Sequence, residues 1–272
     1  MHNPALLFML APITRGLCAM VLSGLCFPLC GVMVLRLNMM NLRFLLMHGV
    51  LLGGAVALAL QLPTVPVTIA VNLVLVAVLL FSAQKSQTGF GGASSATMVI
   101  SMAAASLIMH VTDVPAKDTL DLLWGSPFAL SNVDLLALGT LFALVVLYFI
   151  THFKTILAIF YNRDIARSLG ISVHVHYTLM VVLVALVVAV AMKLLGAFLI
   201  DALLILPVLV AECHGIQKLC LRSALTGLSS AIAGYTLAVA FNLPPGATIA
   251  GTAAILYGTR KLLNFIQNKP YV

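Results

Sequence analysis

The sequence contains very few charged residues, and this shortage decides its broad class. Asp, Glu, Lys and Arg together make up 8% of the 272 residues, whereas a soluble globular chain carries about 25%. Residues 65–82 and 135–150 contain none, and long apolar stretches without charge are transmembrane candidates. The scarcity of charge therefore excludes a water-soluble protein and indicates a polytopic membrane protein.

The apolar stretches also lack the apolar-polar alternation of transmembrane β-strands, so only helices can satisfy their backbone hydrogen bonds in lipid. The predicted fold class is all-α, with a single transmembrane domain covering residues 1–272. Residues 1–11 predict either an interfacial helix or a partial span, which gives eight or nine transmembrane helices in total. The predicted spans are 17–35, 44–62, 65–84, 93–112, 134–153, 176–195, 197–213, 223–241 and 247–263.

Motifs for covalent chemistry are missing as well. The five cysteines have no paired-motif spacing; Cys26 and Cys30 share a helix face but have no companion ligands nearby, so we interpret all five as buried small side chains. The sequence contains no Walker A motif, zinc-protease motif or Ser/His constellation. We therefore expect a transport protein that is not an enzyme and that holds no permanent cofactor.

Eleven of the 14 basic residues fall in alternate connections between the predicted spans or at the C-terminus. By the positive-inside rule these connections face the cytoplasm. The complementary connections 61–66, 113–134 and 242–246 contain one basic residue, Lys117, and face outward. The net charge of +7 is thus a topological signal. The sequence has no basic patch interleaved with aromatic residues, so we expect no nucleic-acid partner. The clustered basic residues are Arg36, Arg43, Lys85, Lys154, Arg163, Arg167, Lys218, Arg222, Arg260, Lys261 and Lys269.

The longest polar segment on the cytoplasmic side runs over residues 154–177. Asn162 is a good helix N-cap, and Gly170 suits the C-terminal stop, so the segment predicts a short amphipathic helix between them. Such a helix is either an interfacial connector or a docking element for a partner.

One carboxylate, Asp201, lies inside the apolar run 193–211. A charged side chain at bilayer depth costs roughly 2.5–3.5 kcal/mol on insertion scales, so it is usually retained to face a partner, a cavity or a transported species. Lys193 is eight residues away, about 12 Å along a helix, and is too distant to pair with it. We interpret Asp201 as lining a transport path.

Four stretches resemble, in order, the permeases of ATP-binding-cassette importers for zinc, manganese and related divalent metals. They are 124–135, 162–170, 196–211 and the Pro-x-Gly turn at 243–248. The resemblance implies a homodimeric permease in a bacterial or archaeal cytoplasmic (inner) membrane. It also implies a separate cytoplasmic ATP-binding subunit and an extracytoplasmic metal-binding protein as partners. It places the coupling segment at about 155–172, with Asn162, Arg163, Asp164, Ala166, Arg167 and Gly170 as its coupling residues.

Residues 47–53 resemble the stretch in which the family carries metal-binding side chains, and His48 matches the family histidine. The family usually has Asp four residues earlier, where this chain has Phe44. Asp201, conversely, stands where relatives commonly have a small residue such as Ser. We therefore hypothesise that the carboxylate ligand has moved from one helix to another. The cargo is then zinc or manganese, with iron as a further candidate, because one imidazole and one carboxylate do not discriminate among them.

Two further pairs are weaker candidates. His110 and Asp113 have the spacing of one helix face and form either an entry site or a wet interfacial pair. Glu212 and His214 form either an exit relay or an ordinary charged helix end. The remaining histidines, including His152, His174 and His176, are assigned to solvent. An ion-coupled secondary transporter or cation channel, in which Asp201 holds the ion without any ATPase, stays open as the alternative function.

Overall fold

The computed structural model describes residues 11–85, 89–113, 125–213 and 215–267. These residues form α-helices joined by short turns, with one 3-10 turn at Pro127–Ala129 and no strand within the described ranges. The helices are α1 Ala11–Arg36, α2 Met40–Ala59, α3 Thr64–Lys85, α4 Gly89–Val111, α5 Asn132–Thr151, α6 Phe153–Tyr161, α7 Arg163–Ser168, α8 Val173–Leu195, α9 Ala197–Val210, α10 Ile216–Phe241 and α11 Pro245–Gln267.

Seven of the described helices are long and apolar enough to cross a bilayer: α1, α2, α3, α4, α5, α8 and α10. The helices α9 and α11 occupy the two remaining ranges in which the sequence predicts spans. The prediction of an all-α polytopic membrane protein is confirmed. Helix α9 has 14 residues and is about 21 Å long, so it is shorter than the roughly 30 Å hydrocarbon core.

The chain divides into two compact units, and each is built from separated parts of the sequence. The first unit comprises Met1–Val32, Ser126–Gly139 and Phe198–Val272. The second comprises Met33–Gly125 and Thr140–Ala197. The assignment of residues 1–272 to one domain stays a prediction.

Glycines bring helix backbones into direct contact in the first unit. Gly31 of α1 faces the backbone carbonyl of Leu204 in α9, and Gly24 faces the backbone of Gly227 in α10. Small residues are the usual means of close helix packing in membranes, where the hydrophobic effect does not drive helices together. Near the start of α1 the fully buried Tyr235 donates a 2.9 Å hydrogen bond to the carbonyl of Ile13. The helix that carries Asp201 is thus held against α1 by backbone contact.

Gly31→Ala is expected to destabilise the protein, because the new methyl group would overlap the Leu204 carbonyl and force two helix backbones apart. Overpacking of this kind costs about 1–3 kcal/mol or more. Gly251→Ala is the matched control, because a Cβ there meets nothing within 4 Å and alanine favours a helix by up to about 1 kcal/mol. Unfolding of both variants in detergent checks this expectation, and equal stabilities would contradict it.

In the second unit α2 packs most extensively against α4 and α3. Gly49 and Gly53 of α2 face the side chains of Asn72 and Thr68 on α3. The Asn72 amide donates a 3.0 Å hydrogen bond to the carbonyl of Thr68 within its own helix. Thr97 of α4 likewise donates to its own helix, so these two donors are satisfied within single helices. The Asn72 Oδ1 and Thr68 Oγ1 atoms are buried and have no hydrogen-bond partner among the described residues.

Candidate functional site

Asp201 lies near the start of α9, where its side chain is half-buried between well-buried apolar neighbours. Every other residue of α9 is apolar. Pro207 lies inside the same helix, and the Pro207 carbonyl accepts a 3.1 Å hydrogen bond from the Thr226 hydroxyl of α10. This region is thus a short, Pro-containing helix with one carboxylate.

The backbone leaves α8 at Gly196, whose φ of +93° is disfavoured for residues with a side chain. Gly125 lies against this break, because a Cβ on Gly125 would come within 2.5 Å of the Leu195 carbonyl carbon. Gly125 also has a positive φ of +52°. Two glycines that the sequence placed in separate motifs therefore meet in the second unit, backbone against backbone, where α8 ends.

His48 lies in α2, half-buried, with its Nδ1 atom 2.8 Å from the Phe44 carbonyl oxygen. A carbonyl oxygen only accepts hydrogen bonds, so neutral His48 carries its proton on Nδ1. The Nε2 lone pair is then available for a metal ion, in the arrangement common for ligating histidines. Phe44, which stands where the family usually has Asp, thus orients the imidazole through its backbone.

Three of the weaker candidates, His110, Asp113 and Glu212, lie at or just after the ends of helices. Helix α4 ends at Val111, and Asp113 follows in a turn with φ of +52°, so His110 and Asp113 do not share a helix face as predicted. Both side chains are exposed. Glu212 is exposed just after α9, and His214 lies outside the described residues. The entry site and the exit relay stay predictions.

The predicted short cytoplasmic helix is present as α7. The Asn162 side chain accepts hydrogen bonds from the backbone N–H groups of Asp164, at 2.8 Å, and Ile165, at 3.1 Å. At the other end Gly170, with φ of +78°, and Ile171 donate to the Arg167 and Ala166 carbonyls. These are the two bonds of a Schellman motif, so both predicted helix ends are confirmed in atomic detail.

Arg163 fastens α7 to the rest of the second unit. Its Nη2 donates a 3.2 Å hydrogen bond to the carbonyl of Leu37, in the turn between α1 and α2. Its guanidinium also lies 4.7 Å from the ring centre of Tyr177, in the second turn of α8. A displacement of α7 would therefore pull on the start of α2 and on α8.

Three apolar side chains at α7 and its flanks face solvent, at a spacing of four residues. Tyr161 is 81% exposed, Ile165 is 48% exposed and Leu169 is 69% exposed. Ile165 and Leu169 are one helical turn apart, so they are neighbours on the side of α7 opposite Arg163. Tyr161 is the last residue of α6, before the extended backbone of Asn162. These three exposed side chains are called the stripe of Tyr161, Ile165 and Leu169.

A histidine pair between α8 and the residue after α5 was missed by sequence reasoning. His174 and His176 lie in the first turn of α8 and not in a polar connector. The His176 ring centre is 5.2 Å from that of His152, and its Nδ1 is 3.1 Å from the Tyr148 hydroxyl. His176 is thus only partly exposed to solvent, because Tyr148 of α5 and His152, which directly follows α5, are its neighbours.

Within the described ranges no three His, Cys, Asp or Glu side chains lie together in a group that would hold a metal ion. His48 and Asp201 are therefore each a candidate metal ligand outside any such group.

One family model and several known proteins are similar to most of this chain. The model of the ABC 3 transport family matches residues 9–262. ZnuB, a high-affinity zinc uptake system membrane protein of Haemophilus influenzae, is 24% identical over 89% of this chain and 93% of its own length. ScaB, a manganese import system permease protein of Streptococcus gordonii, is 26% identical over 64% of this chain and 61% of its own length.

A solved structure shows the same fold. PsaBC from Streptococcus pneumoniae, in complex with Fab, has a TM-score of 0.79 at 22% identity, covering 93% of this chain and 92% of that chain. The overall fold of this chain is therefore similar to that of PsaBC.

Proposed function

The chain belongs to the ABC 3 transport family, and from this membership we propose that it is the permease subunit of an ATP-driven importer of manganese or zinc. It is a multi-pass protein of the cytoplasmic membrane. The observation that carries the proposal is the family match over residues 9–262. The relatives ScaB and ZnuB, which are named for manganese import and zinc uptake, support the two candidate metals.

ATP is hydrolysed by a separate cytoplasmic subunit that docks on α7. The stripe of Tyr161, Ile165 and Leu169 supplies the apolar contact, since exposed apolar patches rimmed by polar residues mark protein interfaces. Arg163 then transmits the movement of that subunit to the Leu37 turn and to α8. Asn162 and Gly170 fix the two ends of α7, so that it moves as one piece.

The transported ion is bound transiently and is cargo, not a resident cofactor. His48 contributes its Nε2 atom, which the hydrogen bond from Nδ1 to Phe44 leaves available. Asp201 contributes a carboxylate and the negative charge that a divalent cation requires. An extracytoplasmic binding protein delivers the ion to the outward connections, and two copies of the chain form the permease.

The experiment that tests this function is metal uptake by reconstituted liposomes. The chain is purified with the ATP-binding subunit that accompanies it, combined with candidate binding proteins, and assayed for zinc and manganese uptake with and without ATP. ATP-dependent uptake of either metal supports the proposal and identifies the cargo. Uptake that proceeds equally well without ATP would assign the protein to the ion-coupled transporters or channels instead.

A further inference from the structure

A cavity of about 300 Å³ lies in the second unit, where the ends of four helices meet. Its walls come from the last turn of α3, the first turn of α4, the first two turns of α8 and the short helix α7. The positive-inside rule assigns all of these ends to the cytoplasm. The cavity is therefore at the depth of the lipid headgroups and not in the hydrocarbon core.

Two arginines give the cavity positive charge. Arg163 and Arg167 line it together with the His174 imidazole and the Gln84 amide, and no carboxylate is among the described residues that line it. Asp164 pairs with Arg167 at 2.9 Å from outside the cavity, at an exposed position. Because Arg163 is already fixed by Leu37 and Tyr177, its charge is held in place before any ligand arrives.

The remaining lining residues are mainly apolar or aromatic. They include Leu80, Phe90 and Val173, and the rings of Phe90 and Tyr177 meet edge to face at 5.7 Å. Aromatic side chains at this level are typical of membrane interfaces. A soluble anion would use the arginines alone, whereas a lipid would use both the arginines and these apolar side chains.

We propose that this cavity is a binding site for an anionic phospholipid of the cytoplasmic leaflet. The phosphate lies against Arg163, Arg167 and His174, and the glycerol and the upper acyl chains lie along Leu80 and Phe90. Basic pockets between transmembrane helices on the cytoplasmic side are known to bind anionic headgroups. This site goes beyond the proposed function, because it places a lipid in contact with the same helix that receives the ATP-binding subunit.

The test measures how much phosphatidylglycerol and phosphatidylcholine the purified complex retains in detergent, by native mass spectrometry. We expect preferential retention of phosphatidylglycerol, with a loss of about fivefold on removal of the Arg167 charge. Arg167→Gln with His174→Gln also removes an imidazole that can hydrogen-bond the phosphate, so this double variant is expected to lose most of the preference. That double variant leaves the Arg163 anchor intact. Arg222→Gln is the matched control, because it removes an exposed cytoplasmic charge that is not part of the cavity, and it is expected to retain the preference.

Three results would overturn the proposal. The first is equal retention of both lipids by the wild type, and the second is an undiminished preference in the double variant. The third is displacement of the lipid by millimolar inorganic phosphate, which would identify a soluble anion as the occupant. Lipid retention requires no transport, so failure of this proposal is distinguishable from failure of the proposed function.

Discussion

Asp201→Asn is expected to lower ATP-driven metal uptake at least about tenfold while the permease still folds and retains its ATP-binding subunit. Asparagine keeps the shape of the side chain and one of its two acceptor oxygens, but it removes the negative charge that offsets a divalent cation in a medium of low dielectric constant. Loss of the charge of this half-buried side chain also relieves part of an insertion cost of about 2.5–3.5 kcal/mol, so stability is not expected to fall. Uptake into liposomes and the amount of co-purified ATP-binding subunit measure the two halves of this expectation. Wild-type uptake by the variant would exclude Asp201 from the path.

The hypothesis that the carboxylate moved between helices has a sharper consequence. Phe44→Asp is expected to restore uptake to the Asp201→Asn variant, because residue 44 is one helical turn before His48 and is 40% exposed. Phe44→Asn in the same background is the control, since it makes the site polar without adding charge. Rescue by both substitutions would show that polarity alone matters, and rescue by neither would contradict the relocation.

Local rules explain why some of the fold was predictable. The uncharged apolar runs predicted the membrane helices, and the caps at Asn162 and Gly170 predicted α7, because each depends on neighbouring residues only. The helix start before His176 was misread because polar residues in the first turn of a membrane helix look the same in sequence as a connector. Ends of this kind are the least reliable part of any such prediction.

Contacts between distant residues were not predictable in the same way. Arg163 reaches Leu37 across 126 positions, and Gly31 meets Leu204 across more than 170. Neither contact leaves a periodic signal, because each depends on how helices pack and not on the pattern within one helix. A metal-binding cluster was equally unpredictable for His48 and Asp201, because neither has other candidate ligands close to it in the sequence. Among the described residues neither belongs to a group of three possible ligands.

Ile165→Asp is expected to weaken association of the ATP-binding subunit about 10- to 100-fold and to abolish ATP-driven uptake. Burying an Ile side chain in an interface contributes about 1.5–3 kcal/mol, and a carboxylate at its centre reverses that contribution. Because Ile165 is exposed in the isolated permease, its replacement should change the stability of the permease itself by less than about 0.5 kcal/mol. Subunit affinity, uptake and detergent unfolding are measured on the same preparation.

Ile165→Val is the matched control, because it keeps an apolar, β-branched side chain and should retain both subunit and uptake. If Ile165→Asp loses uptake but keeps full affinity for the subunit, then α7 transmits movement without supplying the contact energy, and the Arg163 anchor becomes its essential part. If the variant keeps both, the stripe is not the docking surface. Loss of both with an unchanged unfolding transition is the one pattern that a docking role for α7 predicts and a purely structural connector does not.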